Sequence, residues 1–196
     1  ETFLKWCQQN YQRIEAVSLT DTATRDISFE NAHVKLISRN QFLLNRYIKT
    51  VIVLSRKLLT KRAVIANGLF LEVYFASLIT SRKYVSKVPG DIVWERARNS
   101  RKTQSGIEDF QKEDLGLKYR IFRKLFTASL NKSELVIVPS KGLLNLCLSW
   151  GVPGSKLRLV YISVEIPRIS NLPINPPEYD LVTVCRLAPW KGVDEL

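Results

Sequence analysis

The chain has 196 residues, 45% of them hydrophobic, and a formal net charge of +12. That is enough apolar material for one substantial core and the start of a second. A single histidine, His33, rules out a His-rich metal site, and no apolar run reaches the roughly 18 residues that a membrane span needs.

The three cysteines, Cys7, Cys147 and Cys185, show no C-x-x-C spacing, which fits reduced thiols in a cytosolic protein. No signal peptide is visible. A Ser-His-Asp arrangement would depend on His33 alone, and a structural role is the expectation for it. The chain opens on Glu, contains no Met, and ends inside an expected helix, so it reads as a fragment cut at both ends.

In chain order, residues 2–12 read as the tail of a helix, with Phe3, Leu4, Cys7 and Tyr11 on one side. Ile14 to Thr20 reads as a strand and polar residues 21–32 as a connection. His33 to Ser38 is a second strand, and Gln41 to Leu59 a strong helix. At 100° per residue, Leu44, Tyr47, Val51, Leu54 and Leu58 form one face of that helix; Arg46, Lys49, Arg56, Lys57 and Lys61 form the other. Ala63 to Gly68 is a strand with its turn, Phe70 to Ile79 a helix, and Lys83 to Asp91 a strand running into a loop. From Ile92 to about Gln111 the chain is polar and basic, with Trp94 and Phe110 as anchors. Leu117 to Leu130 is an amphipathic helix and Leu135 to Ser140 a buried strand. Lys141 to Trp150 is a helix stopped at Gly151, with Pro153 just beyond. Leu157 to Ile166 is a strand, Pro167 to Pro177 a linker, and a second domain begins at about Glu178.

Strands alternating with helices at this spacing predict βαβ units, hence a parallel sheet with helices on both faces. Residues 13–166 are expected to form one such α/β domain. Because a central strand would be missing from a fragment, a gap or disturbed pairing is expected in its sheet.

The last stretch carries the most chemistry. Leu181 to Cys185 is a short β-branched run suited to a buried strand, Arg186 and Lys191 stand on a loop broken by Pro189 and Gly192, and Val193 to Leu196 starts a helix. Arginine grips a diphosphate bidentately, lysine adds a point charge, and free backbone N–H groups complete the shell. A strand-to-helix turn with two solvated cations is the plainer alternative.

The run from Cys185 to Leu196 resembles the start of the second domain in family 4 glycosyltransferases, which typically reads G-R-L-x-P-W-K-G-x-D-x-L. Cys185 stands where that pattern has Gly. The resemblance extends to Ala66-Asn-Gly68, Lys87-Val-Pro-Gly-Asp91, Trp94-Glu-Arg-Ala97, Phe110-Gln111 and Val136-Ile-Val-Pro-Ser140. It also takes in Leu159-Val-Tyr-Ile-Ser-Val-Glu165, where Ile162 replaces the usual Asn. It implies two facing Rossmann-like domains, the GT-B arrangement. In this chain that means an acceptor-side N-terminal domain over residues 1–166, a linker over 167–177, and a truncated nucleotide-sugar-binding domain over 178–196. The implied activity is retaining transfer of a sugar from a nucleotide-activated donor to an acceptor hydroxyl, with no cofactor or metal. Arg186 and Lys191 would bind the donor diphosphate.

In open α/β sheets ligands bind beyond the carboxyl ends of the strands. Asn67, Gly68, Gly90, Asp91 and Ser140 fall there, so they are expected to line the cleft. Asp91 either accepts hydrogen bonds from sugar hydroxyls or caps the segment starting near Trp94. Trp94 either stacks on a sugar or anchors its loop, with anchoring favoured.

No acidic residue occurs between Glu30 and Glu72, while eight Lys or Arg do. The basic helix face, Arg46, Lys49, Arg56 and Lys57, therefore fits an anionic membrane surface, and equally an ordinary solvated face. A cytoplasmic protein is expected, peripheral at the inner face of the membrane if those cations meet lipid. The alternative function is a non-catalytic basic Rossmann-like module binding nucleic acid or anionic lipid, although no nucleic-acid motif is present.

Overall fold

In the computed structural model, residues 14–29, 32–60 and 63–163 are described. The helix expected at 2–12, the linker at 167–177 and everything from Glu178 onward, Arg186 and Lys191 included, lie outside them. By internal contacts the chain divides into two compact units. One runs up to Ser86 and adds Ala128–Glu134; the other takes Lys87–Thr127 and the residues from Leu135.

The first unit opens with β1 (Ile14–Thr20), β2 (Arg25–Phe29) and β3 (Ala32–Ser38). They form a three-stranded sheet in the order β1-β3-β2. β1 runs parallel to β3, with Ile14 opposite Ala32 and Thr20 opposite Ser38. Residues 21–32 are therefore not simply a connection, because β2 lies within them and pairs antiparallel with β3. Its stabilisation is polar and cross-strand. Asp26 faces Lys35, whose Nζ lies 3.3 Å from its carboxylate, and Ser28 faces His33, with Oγ and Nδ1 3.0 Å apart. A hydrophobic-period reading does not register such pairs.

Helix α1 (Leu43–Leu59) buries Thr50, Val51, Leu54 and Leu58. Thr50 sits inside at little cost because its hydroxyl donates to the Arg46 carbonyl at 2.8 Å. Leu44, expected on that core face, is instead 59% exposed. Strand β4 (Ile65–Ala66) leads through Gly68, at φ 118°, and Leu69, at φ 51°, into α2 (Phe70–Thr80). The positive φ values make the sharp strand-to-helix reversal, and glycine adopts its own without a side-chain penalty. β5 (Val85–Lys87) follows the buried Tyr84. The Tyr84 hydroxyl donates to the Ser129 carbonyl at 2.7 Å, and Ser86 bonds Ser133 hydroxyl to hydroxyl at 2.7 Å.

The second unit holds α3 (Ile92–Asn99), α4 (Ile107–Phe110), most of α5 (Leu117–Lys132), β6 (Leu135–Val138), α6 (Lys141–Ser149) and β7 (Leu157–Leu159). β6 and β7 are parallel, with Val136 opposite Leu157. Val136 and Val138 are fully buried alongside Val93, Ala97, Phe126 and Cys147. α6 stops at Gly151, at φ 87°.

Strands β4, β5, β6 and β7, in that order, make a four-stranded, all-parallel sheet flanked by helices, an α/β architecture consistent with a Rossmann-like fold. The strands thus divide between two sheets, and β2 departs from the parallel pairing expected throughout. Among the described residues no helix is long and apolar enough to cross a membrane.

Candidate ligand site

The loop after β5 is the best-defined of the expected site segments. Val88 is fully buried and its N–H donates to the Ile137 carbonyl at 2.8 Å, which holds the loop's start beside β6. Pro89 and Gly90 then lead to Asp91, whose side chain is completely buried. Oδ1 of Asp91 accepts from the backbone N–H of Val93 at 2.9 Å and of Trp94 at 3.2 Å, so Asp91 is the N-cap of α3. Oδ2 accepts from Gln111 Nε2 at 3.0 Å and from Arg123 Nη2.

These contacts close into a ring of four side chains. Gln111 accepts at Oε1 from the Trp150 indole N–H at 2.8 Å, and the Arg123 guanidinium lies 4.3 Å over the Trp150 ring. Phe126 packs near Trp150, with 5.8 Å between ring centres. Each polar group in the ring answers another, the condition for a buried network to rigidify rather than destabilise. Within the ring the exception is Arg123 Nη1, which is buried without a hydrogen-bond partner.

With four donors on two oxygens, Asp91 is saturated and shielded from solvent. It acts as the cap, and in this conformation it offers no acceptor to an incoming hydroxyl. Trp94 likewise uses its indole N–H on the Ser105 carbonyl at 3.0 Å, pinning the loop between α3 and α4. Phe110 is buried, as its anchoring role requires. From the sequence Arg123 belongs only to a basic face with Arg120 and Lys124, and Trp150 only to a helix end. They come from elements far along the chain, and nothing in local spacing ties them to Asp91.

Cys147 on α6 lies in the same interior. Burial is the main reason its thiol is pushed up to about 12, with the Asp91 charge adding to it and Arg123 opposing. The thiol is therefore neutral and unreactive near pH 7. In the unfolded chain it ionises near its ordinary value of 9.0, so above that pH the unfolded state holds fewer protons. Its contribution to stability is complete below about pH 9 and falls by up to about 1.4 kcal/mol per pH unit towards pH 12. Denaturant titrations under reducing conditions at pH 8, 9 and 10 are expected to show this decline, and Cys147→Ala should flatten it. Equal slopes in the two proteins would mean that the thiol ionises as readily folded as unfolded. Tyr84 is also raised to about 12, chiefly by burial, and adds a similar decline above pH 10.

Ser140 follows β6, and its Oγ accepts from the Leu143 N–H at 3.1 Å as the N-cap of α6. Gly90, Asp91 and Ser140, all in the second unit, thus follow the carboxyl ends of the neighbouring strands β5 and β6. Asn67 and Gly68 stand at the carboxyl end of β4 in the first, Asn67 exposed. The expected diphosphate ligands, Arg186 and Lys191, lie outside the described residues.

A cavity of about 170 Å³ occurs elsewhere, lined by Glu15, Ala16, His33, Lys35, Val53, Arg56 and Lys57. Glu15, Ala16 and His33 fall in the amino-terminal halves of β1 and β3, and Lys35 at the midpoint of β3. Glu15 pairs there with Lys57. His33 has Ser28 at Nδ1 and the Asp26 carboxylate 3.9 Å from Nε2, a cross-strand role. Among the described residues no group of three or more His, Cys, Asp or Glu is placed to hold a metal ion. No protein-family model matches the chain, and no curated protein does.

Proposed function

We propose that the protein transfers a sugar from a nucleotide-activated donor to an acceptor hydroxyl, as a glycosyltransferase of the GT-B kind. The observation that carries this reading is the ordered run Arg186-Leu-Ala-Pro-Trp-Lys-Gly-Val-Asp-Glu195 following an α/β domain. Breaking a sugar–phosphate bond builds negative charge on the departing diphosphate. Arg186, Lys191 and a helix N-terminus neutralise that charge without a metal. On the acceptor side, Gly90 and Ser140 line the cleft, and Asp91 fixes the loop that presents Gly90. The enzyme is cytoplasmic and works at the inner face of the membrane, with a glycan or lipid-linked acceptor.

Calorimetric titration of the full-length protein with nucleoside diphosphates tests this reading. Saturable binding that selects one base and holds at physiological salt is the expected result. The net charge of +12 favours a second reading, a non-catalytic basic module for nucleic acid or anionic lipid. Affinity for any polyanion that falls steeply with salt and ignores the base would establish that module and end the enzyme reading.

A further inference from the structure

Helix α1 carries more apolar surface than its core uses. Leu44, Ile48, Ile52 and Leu59 are between 47% and 59% exposed, and Phe42 and Leu43 at the helix start are more open still. At 100° per residue the first four fall within about 80° of the helix circumference, a continuous stripe beside the buried face. Helix α2 packs next to α1, its Phe75 ring edge-on to Tyr47 at 6.1 Å. It exposes Phe75, Leu78 and Ile79 in turn.

Cations border the stripe on its outer side. Lys49 and Arg56 lie about 40–60° beyond Ile52, both are exposed, and neither has a hydrogen-bond or ion-pair partner among the described residues. Arg46 and Lys57 differ, contrary to their grouping with the other two from the sequence. Arg46 donates to the Arg39 carbonyl at 3.3 Å, and Lys57 is paired with Glu15 on β1. No acidic residue lies on α1 to offset the two free charges.

We propose that this face of α1 is a docking surface for an anionic membrane. The helix lies in the plane of the interface, with Leu44, Ile48, Ile52 and Leu59 entering the acyl boundary and Lys49 and Arg56 meeting lipid phosphates. An amphipathic helix with an apolar stripe and a cationic border, too polar to span, has the properties of an interfacial helix. A second copy of the chain fits less well, since two such faces would bring Lys49 and Arg56 against their own kind. Nucleic acid would use the cations but leave the apolar stripe in water. The inference does not depend on the glycosyl-transfer reading.

Vesicle co-sedimentation of the full-length protein tests it, using phosphatidylcholine vesicles with and without about one-third phosphatidylglycerol. The wild-type chain should bind the anionic vesicles. Ile48→Ser with Ile52→Ser should weaken that binding on the order of tenfold, through lost apolar insertion. Lys49→Gln with Arg56→Gln should weaken it to a similar degree, and leave binding to the neutral vesicles unchanged. Arg46→Gln with Lys57→Gln should change it less than about twofold, since those cations are engaged within the protein. Circular dichroism and melting curves check that the variants stay folded, which exposed positions should allow. Wild-type binding in the isoleucine variant would overturn the proposal. So would a chain that ignores anionic vesicles, or one that forms a dimer which the isoleucine substitutions dissolve.

Discussion

Replacing Asp91 with alanine is expected to cost about 3–5 kcal/mol of folding stability, the range for removing one partner of a buried charge pair. The carboxylate is fully buried and holds four donors at once, two backbone N–H groups of α3, Gln111 and Arg123. Its loss removes the cap of α3, worth about 1 kcal/mol, and leaves the guanidinium without a counter-charge. The Arg123 side chain is 21% exposed, so some rehydration is open to it and the lower end of the range is the better expectation. Asp91→Asn keeps the cap through its carbonyl but also removes the counter-charge of Arg123 and turns an amide donor toward two donors, so its cost should approach that of Asp91→Ala. A double-mutant cycle with Arg123→Met isolates the ion pair, since the double variant carries no stranded charge. Urea unfolding followed by tryptophan fluorescence gives all four stabilities. A loss below about 1 kcal/mol in Asp91→Ala would mean that the ring around Asp91 is an ornament of the fold, not a support for it.

The contrast between Asp91 and β2 shows what local sequence carries and what it does not. An Asp placed just before an Ile-Val-Trp-Glu run offers a helix cap by its chemistry, one of the two readings open for Asp91 from the sequence. α3 begins there, although the stretch from Ile92 reads only as polar and basic. The long periodic helix and the β-branched strands were legible for the same reason, because backbone geometry and apolar period act over a few residues. β2 was not, since in Arg-Asp-Ile-Ser-Phe the partners that hold the strand are Lys35 and His33 on its neighbour. The remaining partners of Asp91 come from 20 and 32 residues away in sequence. Trp150 reaches Gln111 across 39 residues. Such contacts follow from topology, which no local pattern contains. Leu44 illustrates a third limit: helical period places it near the core arc, but where that arc ends depends on what packs against it.

The same limit makes the donor-side residues a matter for kinetics. Arg186 and Lys191 lie outside the described residues, and their assigned role rests on the chemistry of the run that contains them. If the proposed sugar transfer uses this loop, Lys191→Ala should lower turnover about 100-fold or more, the scale for losing one preorganised charge-stabilising donor. The loss should fall on kcat as well as on kcat/KM. The charge being stabilised is greater in the transition state than in the bound substrate. Arg186→Lys keeps the charge but should still impair turnover, because a single ammonium cannot reproduce a planar fork that grips two phosphate oxygens. Cys185→Gly, which restores the residue of the resembling pattern, should be nearly silent, since position 185 contributes no charge to the diphosphate. Steady-state turnover with a series of nucleotide sugars, alongside circular dichroism of each variant, provides the measurement. Folded Lys191→Ala and Arg186→Lys proteins that turn over like wild type would place the diphosphate on other residues and remove this loop from the site.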